Sequence, residues 1–175
     1  MKYAIRLSAT VLLSTLLVIS TYDQTKPKYI DQINVLISYY SFNKLYISKL
    51  IHVESDNNPS AIGDDGQSIG LCQVQLVTAL DYDSLATKKK LKRPIYNIHI
   101  ALKHLNWLRS KFRQMGYKGS KLDLIVFSAY NLGYQGVLDR IHNGDSPINS
   151  YARKIVNVKV SVLSQRHNGR RVASN

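Results

Sequence analysis

Only one cysteine, Cys72, stands among the 175 residues, which excludes an internal disulfide and any cysteine-rich zinc site. The fold therefore stands on packing. Acidic side chains are also scarce: 11 aspartates and glutamates face 24 lysines and arginines, a formal charge of +13. That imbalance points to an anionic partner, and nucleic acid, anionic lipid and an acidic wall polymer are the candidates. No apolar run reaches the roughly 20 residues that a spanning helix needs. What remains is an ordinary globular composition, 45% hydrophobic and 20% charged, long enough for one domain with short appendages and not for two.

The nearest thing to a membrane segment lies at the start. Lys2 and Arg6 precede the uncharged residues Leu7 to Ile19, and small Ser20 and Thr21 follow. Basic, apolar and small-residue regions in that order form an export signal, with cleavage expected after Ser20. Residues 1–21 are accordingly read as a signal peptide or, if uncleaved, a signal anchor, which is the only source of membrane contact. Export places the protein in the periplasm or cell envelope and disfavours nucleic acid as partner.

Residues 22–29, with Lys26-Pro27-Lys28, read as a linker, 30–163 as the domain and 164–175 as a basic tail. Within the domain, helical spacing predicts a first helix through Ile30, Ile33, Val35 and Leu36, ending near Phe42. Asn43 caps a second helix through Leu45, Ile47, Leu50, Ile51 and Val53. Asp56 to Gly70 is a loop by its turn formers, and a helix is expected over Leu71 to Leu80. The run Lys88 to Arg93 reads as a basic connector, because like charges repel within a helix. Pro94 opens the clearest helix, with Ile98, Ala101, Leu105, Leu108, Phe112 and Met115 on one face and Gly116 as its stop. Leu122 to Tyr130, Val137 to Ile141 and Tyr151 to Val162 supply three more. Strand alternation is scarce, so the fold class is mostly α.

Glu54 falls three residues after Ile51 and four after Leu50, which puts a carboxylate on the apolar face of its helix where the chain enters a glycine-rich loop. A desolvated carboxyl holds its proton to higher pH and can serve as an acid. The five histidines are dispersed with no H-E-x-x-H pattern, so neither a metal nor another cofactor is expected. Cys72 reads as a small buried thiol.

Around Glu54, His52-Val53-Glu54-Ser55 is followed by Asn58-Pro59, Ala61, Gly66, Gly70-Leu71-Cys72-Gln73-Val74 and Thr78-Ala79. Pro94, Asn97 and Ala101 come next, then Ala129-Tyr130-Asn131-Leu132-Gly133. In that order and spacing the motifs resemble the transglycosylase form of the lysozyme superfamily, glycoside hydrolase family 23, over about residues 33–155. The resemblance implies a lysozyme-like single domain acting on peptidoglycan glycan strands. Such domains often serve secretion, conjugation or phage assemblies that cross the wall.

By the same resemblance Glu54 is the sole catalytic acid and base, and Tyr130 orients Glu54 or the sugar N-acetyl group. Ser55 and Gln73 line the groove floor, Asn131 contacts the glycan, and Tyr151 stands near the groove. One extra residue between Gly66 and Gly70, Cys72 in place of methionine and Gly63 in place of serine depart from the pattern and bear on the groove wall. Two rival readings are a hydrolysing muramidase drawing a second carboxylate from Asp56, Asp64 or Asp65, and an inactive wall-binding module.

Overall fold

The computed structural model describes residues 30–156. The expected signal segment, linker and basic tail, and the apolar positions Val158 and Val162, lie outside the described residues.

Among the described residues, eight helices carry the architecture. Helix α1 (Ile30–Tyr39) turns at Ser41 into α2 (Lys44–Ser55), whose first turn is capped by the Asn43 side chain accepting from the Leu45 N–H at 2.9 Å. An Asn cap satisfies an amide that the helix itself leaves unpaired. The Arg109 guanidinium donates to the carbonyls of Tyr40 and Ser41 and lies 4.0 Å over the Phe42 ring, fastening this corner. Three two-residue strands follow, β1 (Ile62–Gly63), β2 (Ser68–Ile69) and β3 (Val74–Gln75). They form one antiparallel sheet in that order, with Ile62 opposite Ile69 and Ile69 opposite Val74. Then come α3 (Leu76–Leu80), α4 (Lys88–Leu91), α5 (Pro94–Gln114), α6 (Gly119–Leu132), α7 (Tyr134–His142) and α8 (Ser150–Val156).

Helix α5 is the axis of the domain. Ile98, Leu102, Leu105, Leu108 and Phe112 are fully buried along it, and α1, α4 and α6 pack against it. Pro94 occupies its first turn, where the missing N–H costs nothing. Helix α6 presents Ile125, Val126 and Phe127 to the core and also supports α7 and α8, while α8 closes against α2. No helix among the described residues is long and apolar enough to cross a membrane.

Four expectations are corrected. Residues 71–73 are not helical: α3 starts only at Leu76, because Gln73 sits at φ +46° and β3 intervenes. The basic run does enter a helix, α4. Thr87 accepts from the Lys90 N–H at 3.1 Å, Leu91 is fully buried, and the lysine ammonium groups separate outward, Lys88 to the Gly66 carbonyl and Lys90 to that of Leu85. Helix α1 stops at Tyr39, short of Phe42, and its Val35 is 68% exposed, as is Met115 at 45% beyond α5. Strands β1 and β2 fall inside the stretch read as loop, and β3 inside the stretch read as helix.

One side chain joins these parts. The Asn97 amide nitrogen donates to the carbonyls of Ile69 at 2.8 Å and Leu91 at 2.9 Å, and its oxygen accepts from the Cys72 N–H at 2.8 Å, all fully buried. Gly70 passes so close that a β-carbon would meet the Leu91 carbonyl at 2.4 Å, and its φ is +78°, a backbone that favours glycine. Asn97→Ala strands one amide and two carbonyls in the interior, so it is expected to cost about 2 to 4 kcal/mol and lower Tm by roughly 10 °C. An unchanged melting curve would contradict this role.

Candidate active site

The β-hairpin and α5 face each other across a groove of about 490 Å³. Asp64, Ser68, Gln73 and Gln75 line it on the hairpin side, and Ala101, His104 and Trp107 on the α5 side. The α6–α7 junction, from Tyr130 through Tyr134, also lines it, as does Glu54 near the end of α2. The structure thus brings Glu54, Gln73, Tyr130 and Asn131 to one cleft.

Glu54 is half-buried. Burial pushes its carboxyl above the ordinary range; the Tyr151 hydroxyl, donating to Oε1, pulls it back, and the Asp64 charge raises it. An ionised carboxylate loses hydration in such a site, so the proton stays on to higher pH. Tyr151 keeps its own proton, its pKa driven upward by burial and the adjacent carboxylate. Ser68 is buried and its hydroxyl donates to Asp64, which holds that carboxylate at the groove.

The remaining expected site residues divide. The Tyr130 hydroxyl donates to the Cys72 carbonyl at 2.7 Å and not to Glu54, so Tyr151 is the tyrosine bonded to the acid. Ser55 is not part of the groove lining; its hydroxyl donates to the Leu71 carbonyl at 2.9 Å and to that of Ile51 at 3.1 Å, tying the end of α2 to the hairpin. The Gln73 amide donates to the Gly70 carbonyl at 3.0 Å, and its oxygen fills the space that a β-carbon on Gly63 would need, 2.5 Å away. Glycine at that departure from the family pattern is what admits Gln73. The Asn131 oxygen accepts from the Asn149 amide at 2.9 Å. Cys72 is fully buried and its thiol is pushed upward, an inert packing group.

Of the three aspartates weighed as a second carboxylate, only Asp64 lines the groove; Asp56 is exposed and pairs with His52 at 2.9 Å, and Asp65 is exposed. His104 and Trp107 escaped sequence reasoning, although with Ala101 they recur every third residue on α5. Among the described residues no group of three or more His, Cys, Asp and Glu side chains is placed to hold a metal.

A helical domain with a short hairpin sheet, and a half-buried glutamate lining the cleft between them, is lysozyme-like. Within that class the family model of the transglycosylase SLT domain matches residues 31–151, well over half of the chain, and the chain belongs to this family. Membership supports a lytic-transglycosylase type of function acting on peptidoglycan, and with it a place at the cell envelope. A search of curated proteins returns no match.

The raised pKa of Glu54 also has a stability consequence. Below the carboxyl's unfolded pKa both states are protonated; as pH rises toward the folded value only the unfolded chain ionises freely, so stability is lost across that window. Glu54→Gln, which keeps an oxygen for Tyr151, is therefore expected to melt like the parent at pH 4 and above it at pH 8. Thermal melts across that range check the sign, and a variant less stable at pH 8 would contradict it.

Proposed function

We propose that this chain is a lytic transglycosylase that cleaves the β-1,4 bond between N-acetylmuramic acid and N-acetylglucosamine. Glu54 is its single general acid and base, and the product carries a 1,6-anhydro ring. The observation that carries the reading is the environment of Glu54, a carboxyl whose pKa is raised by burial and which lines the groove with the Tyr151 hydroxyl donating to it.

An oxocarbenium-like transition state needs a proton on the departing oxygen, and Glu54 supplies it. The substrate's own N-acetyl group takes the place of a nucleophilic carboxylate, a recognised exception to the two-carboxylate pattern. Glu54, now ionised, accepts the proton of the muramic 6-hydroxyl as that oxygen closes on C1 and the bond between C1 and the N-acetyl oxygen breaks. Donating to Oε1, Tyr151 steadies the carboxylate formed between the two steps. Tyr130 is a positioning residue: from the Cys72 carbonyl it holds the turn that presents Gln73. Asn131 and Gln73 are the polar contacts offered to the glycan, and Ser55 acts through the backbone.

A second reading, hydrolysis, rests on Asp64, whose charge reaches Glu54 from the hairpin side. An inactive wall-binding module would have no use for an acid kept desolvated. On isolated peptidoglycan Glu54→Gln, folded by circular dichroism, is expected to lose at least about a hundredfold to ten-thousandfold of turnover. Parental activity in that variant would overturn the assignment.

A further inference from the structure

The α5 side of the groove carries an arrangement that the reaction chemistry does not use. Trp107 is the sole tryptophan of the chain and is 37% exposed at the groove. The His104 imidazole stacks on it at 5.7 Å with 15° between the planes, and the Tyr82 hydroxyl at 3.0 Å from Nδ1 fixes that imidazole. On another side Tyr134 meets the indole edge-on at 5.2 Å, and Tyr134 in turn rests on buried Phe112 at 5.5 Å. The indole is thus braced before anything binds, while a large part of it stays open to water.

A rigid, half-open aromatic ring in a polar groove is a recognition surface. It offers apolar area with little rotamer entropy left to lose. The C–H-bearing face of a pyranose ring is the complement, being apolar on the face and ringed by hydroxyls. Lys111 Nζ lies 5.7 Å from the indole centroid, on a flexible stem that a sugar displaces at small cost. Ala101 and Trp107 are six residues apart, about 9 Å along the helix axis, so the α5 side is long enough to extend contacts along a strand.

We propose that Trp107, backed by His104 and Tyr134, is a stacking subsite for an N-acetylhexosamine ring of the glycan strand. The proposal rests on the glycan-cleaving reading above and adds the residue that grips the strand at this side of the groove. Desolvation of the half-buried His104 lowers its pKa, against the opposing charge of Asp81, which favours an uncharged platform.

The test is a titration of the full chain with the β-1,4-linked tetramer of N-acetylglucosamine. Trp107 being the only tryptophan, a saturable change in its emission should accompany the binding seen by calorimetry. Trp107→Leu should bind the tetramer about five- to tenfold more weakly, and Trp107→Phe, which keeps a ring, within about threefold of the parent. Melting curves on both variants separate lost binding from lost folding, and the parent's emission stands if the leucine variant does not fold. Calorimetric saturation with unchanged emission, no tetramer binding at all, or a folded leucine variant that binds like the parent would each overturn the subsite. Cleavage of peptidoglycan is scored apart: cleavage without an emission change removes the subsite and leaves the reaction, and an emission change without cleavage does the reverse.

Discussion

The backbone from Ile69 to Gln73 is held from three helices at once, and the cleft depends on it. Asn97 of α5 takes the Ile69 carbonyl and the Cys72 N–H, Ser55 of α2 takes the Leu71 carbonyl, and Tyr130 of α6 takes the Cys72 carbonyl. Buried peptide groups must find partners, and two-residue strands provide few. Side chains from the helical body supply the rest, and in doing so they fix the turn relative to Glu54. Gln73 can then adopt its positive φ and reach over Gly63.

Against that fixed wall, Glu54 is an electrostatic burden that the fold tolerates. A carboxyl deprived of water and facing Asp64 destabilises the folded state once ionised, and only the Tyr151 hydroxyl works in the other direction. Such trade of stability for a poised proton is common where a site needs an acid near neutrality. The surplus of basic side chains, which includes the exposed Lys88, Lys89 and Lys92 at α4, acts at longer range. It favours approach to an anionic wall and is screened over about 10 Å at 0.1 M salt.

Helices with long apolar stripes were legible in the sequence: α5 and α6 show the three-and-four spacing that their burial requires, and Asn43 announced the start of α2. Legibility failed where the determinant is tertiary. Strands of two residues are too short for alternation to appear. The basic run forms α4 because Leu91 is buried and Thr87 caps it, neither of which weighs much in a count of charges. At the site, the motifs singled out Glu54, Gln73, Tyr130 and Asn131, all of which line one cleft. They could not show that Ser55 turns to the backbone, or that the bond to Glu54 comes from Tyr151, 97 residues away, and not from Tyr130. Trp107 was hidden because its face of α5 is offset from the apolar stripe that defines the helix.

The proposed reaction needs one carboxyl to perform both proton transfers, and the product records whether it does. Peptidoglycan digested by the protein and analysed by mass spectrometry should yield muropeptides about 18 Da lighter than hydrolytic ones, with no reducing muramic end, since the 6-hydroxyl replaces water as the attacking group. Hydrated, reducing ends as the main product would contradict the single-carboxyl account and assign Asp64 the role of second carboxylate.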